Sequence, residues 1–208
     1  MDRRPLDVGG LTRVLHAIAQ EQIVPSAVEI DVPVDGRSSI SVQFDGTLAG
    51  MGRRVDRMRE LLVEAGQVSD AGIAVDDGPP FWWGAEPPGE AMLKVTHVVG
   101  RAGALAESLR EAAEATGVRC ALRGSALVGV AHVGLDAPGP ESFARFVEMA
   151  RAATAALEGT LVVLRAPAPW RDAVDPWGPV AGLPLMRAVK DQFDPDAILA
   201  PGRFVGGI

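Results

Sequence analysis

A chain of 208 residues, 48% hydrophobic and 23% charged, suffices for one compact domain or two small ones sharing an interface, and it is too apolar for disorder throughout. Its 20 basic and 27 acidic residues leave a net charge of −7, which is no electrostatic footprint for a phosphate backbone and argues against nucleic acid as a partner. The one cysteine, Cys120, forbids an internal disulfide or a cysteine-built metal site, and within its apolar run it reads as an inert core thiol.

No stretch reaches the ~18 consecutive apolar residues of a membrane span. Met1-Asp2-Arg3-Arg4-Pro5 has no apolar core behind its arginines and does not read as a secretory signal. The Arg, Ala, Gly and Val bias suits a bacterial chain. The expected location is the cytoplasm, with contact to the inner membrane only through a partner.

Leu11 to Gln22 carries apolar residues at 11, 14, 15 and 18, the spacing of one helical face. Ala27 to Val34 and Ser38 to Phe44 then alternate as strands around an Asp35-Gly36 turn. Thr47 can cap a helix to about Ala65 with Val55, Met58, Leu61 and Leu62 on one face, and Gly72 to Val75 reads as a short returning strand. Asp76 to Glu90 is crowded with Pro and Gly around Phe81-Trp82-Trp83. It is either a linker between halves or a long ordered loop with an aromatic anchor.

The second half reads as a strand from Met92 to Val99, a helix from Ala102 to Thr116 and strands from Val118 to Arg123 and Ala126 to Val133. A helix from Glu141 to Leu157 and a strand from Thr160 to Leu164 follow. This β-α-β-β-α-β order is a ferredoxin-like unit, and the first half offers the same unit without its opening strand. The expectation is an α+β fold of duplicated ferredoxin-like units, with helices on one face of an antiparallel sheet. The halves are expected at 1–76 and 91–166, the linker at 77–90 and a tail at 167–208. That tail is an extended, aromatic-anchored connection followed by a helix from Leu185 to Phe193, stopped by Asp194-Pro195.

Catalytic templates are sparse. His16, His97 and His132 show no metal-binding spacing, and no metal is expected, although His97 and His132 lie in strands that could meet. Gly124-Ser125-Ala126 fits a hairpin turn better than a nucleophile elbow, and no phosphate-cradling glycine loop is present. Trp82 and Trp83 either line a ligand pocket or plug the open sheet face as core. Lys94 is a lone lysine in an apolar strand, which implies edge exposure or an anionic partner such as a substrate carboxylate.

The run Lys190-Asp191-Gln192-Phe193-Asp194-Pro195, continued by Ile198-Leu199-Ala200-Pro201-Gly202-Arg203, resembles the ending of FAD-linked oxidases of the vanillyl-alcohol oxidase superfamily. That ending is Lys-x-x-Phe/Leu-Asp-Pro-x-x-x-Leu-Asn-Pro-Gly-Lys/Arg, and Ala200 stands where Asn is usual. Trp177-Gly178-Pro179 and Leu185-Met186-Arg187 look like the smaller FAD-binding subunit of bacterial glycolate oxidase.

The resemblance implies the C-terminal cap domain of an FAD-dependent 2-hydroxyacid oxidase or dehydrogenase acting on CH–OH groups and inactive alone. FAD would be held by a missing N-terminal domain or a partner chain, with other glycolate-oxidase-like subunits as further partners. Met1 falls about where such a cap begins, so an excised domain, a split-gene product or one subunit is expected. Lys94 would hold the substrate carboxylate, with Trp82 and Trp83 beside it, and His97 or His132 would take the hydroxyl proton. Pro201, Gly202 and Arg203 would face the flavin domain. The family's arginine after the Trp is absent from Gly84-Ala85-Glu86, and one histidine remains in Val128-Gly129-Val130-Ala131-His132. The rival reading is a non-catalytic subunit or protein-interaction module.

Overall fold

The computed structural model describes residues 8–35, 37–66 and 70–208. They form two compact units, one ending at Val174 and a tail unit from Asp175 to Ile208. The first unit holds the sheet: β1 (Ala27–Val32), β2 (Ser39–Gln43), β3 (Ala91–Thr96), β4 (Arg119–Ser125), β5 (Val130–Asp136) and β6 (Thr160–Arg165). The strands lie in the order β2-β1-β4-β5-β3-β6, and every pairing is antiparallel.

Helices α1 (Val8–Gln20), α2 (Leu48–Gly66), α3 (Ala102–Thr116) and α4 (Pro140–Ala156) pack in the lateral order α2-α1-α3-α4. Their apolar stripes meet the inward phase of the strands. Leu11, Val14, Leu15 and Ile18 of α1 join Val28, Ile30, Leu93, Val95, Val133 and Leu135 in one buried core. β3 to β6 with α3 and α4 form the complete ferredoxin-like unit, and β1 and β2 extend its sheet through β4. The α+β reading with helices on one face thus holds.

Three local expectations need correction. Gly72 to Val75 is not a strand: a 3-10 turn covers Asp70–Gly72, and the Arg59 guanidinium donates to Ile73 O at 3.3 Å. That tie to α2 serves where a sheet edge was expected. The β4–β5 turn also lies later than Gly124-Ser125, which still pair with Ala131 and Val130. Gly129, at φ 75°, supplies the left-handed residue instead. At Gly124 glycine is needed for close approach, because a Cβ there would strike Val130 O and Ala131. The connection after β6 is not wholly extended, since α5 (Ala168–Arg171) packs Trp170 on Phe143, ring centroids 5.5 Å apart. Gly36 of the expected Asp35-Gly36 turn lies outside the described residues, as does the Met1 to Pro5 segment.

Gly103 sets the α1–α3 crossing, where an added Cβ would collide with the Thr12 side chain. Gly103→Ala is expected to destabilise the fold by about 1–3 kcal/mol, read as a lower urea midpoint with an unchanged slope.

Candidate functional site

The face of the sheet turned away from α1 to α4 carries the polar phase of the strands because successive side chains alternate. Leu93 and Val95 are buried, and Lys94 between them points the other way and is exposed. Lys94 pairs in register with His132 of β5, His132 with Arg123 of β4, and Arg123 with Asp31 of β1. One row of four polar residues therefore crosses four adjacent strands, each about 4.8 Å from the next.

Arg123 is engaged on both sides. Its Nε donates to Asp31 Oδ1 at 2.7 Å in a largely buried ion pair, and its Nη1 donates to Glu86 O at 2.9 Å. Glu86 lies in the 76–90 segment, which proves to be an ordered loop laid on this face. Trp82 is buried, and its ring stacks on that of half-buried Trp83, centroids 6.4 Å apart. Glu90 N donates to Asp136 Oδ1 at 3.0 Å. The Pro87 and Pro88 carbonyls sit where a Cβ on Gly134 would be.

Between loop and sheet lies a cleft of about 240 Å³ lined by Glu29, Trp82, Glu86, Arg123 and His132 among others. Burial pushes the Glu29 carboxyl above its ordinary pKa, and a hydrogen bond from Ser125 opposes the shift. Glu29 has no cationic partner among the described residues. Lys94 and His132 likewise have no side-chain partner there, so an ammonium and an imidazole stand side by side and uncommitted.

The structure separates the two expected histidines. His97 follows β3, is buried, and contacts Val98 O through Nδ1 at 2.9 Å, while its backbone N–H donates to Gly129 O. It does not line the cleft. His16 is exposed on α1, and no three His, Cys, Asp or Glu side chains converge among the described residues. Cys120 is largely buried, its thiol pushed up to about 11 by desolvation.

Glu29, Arg123 and Glu86 were not foreseen as site residues. The alternation around Val28, Ile30 and Val32 does put Glu29 and Asp31 on one face. That this face adjoins His132 depends on the β1–β4 pairing, which has no local signal.

The tail unit carries Pro201, Gly202 and Arg203, all exposed. Its helix α6 (Leu183–Phe193) ends at Asp194, whose oxygens accept from Ile198 N and Leu199 N, both at 3.0 Å. Lys190 pairs with Asp194 and donates to Leu199 O at 2.8 Å, which holds the Asp194 carboxyl below its usual range. The Lys, Asp and Leu of the motif thus close a loop on itself. Trp177 packs edge-on against Phe204, centroids 5.3 Å apart.

Residues 177–204 match the family described as FAD linked oxidases, C-terminal domain, a match that lies wholly within the tail unit. No curated protein matches the chain. The cleft does not fit FAD. It is smaller than the ~300–1,000 Å³ usual for cofactor pockets, and Glu29 and Glu86 in its lining would repel a pyrophosphate. No helix among the described residues is long and apolar enough to cross a membrane.

Two measurements follow from the site. Below the ordinary glutamate pKa, Glu29 is protonated folded or unfolded and has no effect. As pH rises through its elevated native value, ionisation in the cleft weakens the fold. Glu29→Gln is expected to raise the melting temperature relative to wild type at about pH 8 but not at about pH 4. Ala200 adopts φ 47°, a conformation that Asn tolerates better than Ala. Ala200→Asn is expected to slow amide exchange across 194–204, and no change would show that the turn is not strained.

Proposed function

We propose that this chain is the substrate-side cap of an FAD-dependent oxidoreductase acting on small 2-hydroxyacids of the glycolate type. FAD would be held by another domain or partner chain, as in the smaller FAD-binding subunit of glycolate oxidase that the tail resembles. The observation that carries the reading is the Lys94–His132 cross-strand pair on the polar face, both side chains without partners among the described residues. A lysine beside an imidazole suits a molecule with a carboxylate next to a hydroxyl. Lys94 would hold the carboxylate, and His132 would accept the hydroxyl proton. His132 is better placed for this than His97, which is buried and turned to Val98 O.

Trp82 borders the site directly, and Trp83 supports it through the stacked contact. The tail match to FAD linked oxidases supports the reaction class, and the acidic lining of the cleft at Glu29 and Glu86 favours a flavin held elsewhere. Exposed Leu185, Val189 and Phe193 on one stripe of α6 favour a tail that docks on such a partner through Pro201 to Arg203. The same stripe would serve the rival reading, a non-catalytic interaction module, which leaves Lys94 and His132 without a task.

Titration of the purified chain with glycolate, followed by the His132 imidazole resonances, tests the reading. Lys94→Ala is expected to weaken binding by about tenfold or more, the worth of a charged hydrogen bond. Undiminished affinity in Lys94→Ala would remove the carboxylate role and leave the interaction module as the better account.

A further inference from the structure

The cleft beside His132 is larger than a glycolate-type acid requires. Its volume is about 240 Å³ and it is half open to solvent, so a chain longer than a two-carbon acid can lie along it. Two of its lining groups, the Glu29 carboxylate and the Trp82 ring, have no part in holding the carboxylate or taking the proton.

Their chemistry restricts what lies there. Glu29 is half-buried, receives one side-chain hydrogen bond from Ser125 and faces no cation among the described residues, so acceptor capacity is left over. Arg123 lines the same space but is already bound to Asp31 and to Glu86 O. A second carboxylate at this end would meet Glu29 and Glu86. A purely aliphatic chain would leave Glu29 desolvated with its lone pairs unused. Hydroxyl groups satisfy the carboxylate without adding charge, and the C–H surface of a hydroxylated chain can pack on an indole face.

We propose that the cleft takes the hydroxylated chain of a sugar acid. The carboxylate would lie outside at Lys94, the adjacent hydroxyl at His132, and the distal hydroxyls on Glu29 beside Trp82. The inference rests on the acid-binding reading above and moves its substrate class from glycolate to aldonates of four carbons or more.

Calorimetric titration of the purified chain with threonate, and with 2-hydroxybutyrate of the same length but without the distal hydroxyls, provides the test. Threonate is expected to bind about three- to tenfold more tightly, the effect of one added hydrogen bond. Glu29→Ala is expected to bring the two acids to the same affinity, with Glu29→Met, which fills similar volume without a strong hydrogen-bonding group, as the variant to use if the alanine form loses its native circular dichroism. Equal affinity of the two acids for the wild-type chain, or a preference that survives in these variants, would overturn the proposal. A chain that binds neither acid would overturn both this proposal and the acid-binding reading. If Lys94→Ala alters the affinity of neither acid, the Lys94 anchor fails, while the threonate preference is still decided by Glu29.

Discussion

Everything at the candidate site follows from burying one face of an antiparallel sheet. Four helices cover the inward phase of the strands, so a one-residue slip would turn Lys94 into the core and Leu93 or Val95 into water. The same register aligns Lys94 with His132, His132 with Arg123 and Arg123 with Asp31. Core packing therefore positions polar groups that never touch the core. Each of the four residues lies on a different strand, so their spacing is as rigid as the sheet itself.

Arg123 turns that row into a cleft. It neutralises Asp31 on the strand that joins the two halves and grips the backbone of the loop above through Glu86 O. The loop is further held where Gly134 lets the Pro87 and Pro88 carbonyls approach β5, and where Glu90 bonds Asp136. Such a proline- and glycine-rich segment has little cohesion of its own, and here its order comes from the sheet beneath it. In consequence Glu29 is partly desolvated, while His132 and Lys94 have no side-chain partner among the described residues.

The helices and most strands were legible because their apolar periods are strong. Ala102–Thr116 carries the bounds read from the sequence, and Leu11, Val14, Leu15 and Ile18 are the buried face of α1. The reading failed where a side chain or a glycine decides the backbone locally. Gly72 to Val75 has strand-like composition but is tied to α2 by Arg59. The β4–β5 turn follows Gly129, which can take a positive φ, and not Gly124, whose role is close packing. Lys94 was legible as an anomaly within an apolar strand. Glu29 and Arg123 were not, because their proximity to His132 depends on strand pairings distant in sequence.

The tail motif has a structural account of its own, since Lys190, Asp194 and Leu199 close the turn that follows α6. Its functional meaning rests on what the sheet-bearing unit binds. A crystal structure of the chain grown with glycolate tests this most directly. The carboxylate is expected at Lys94 Nζ and the hydroxyl within hydrogen-bond distance of the His132 ring. An acid bound elsewhere, with Lys94 and His132 untouched, would contradict it.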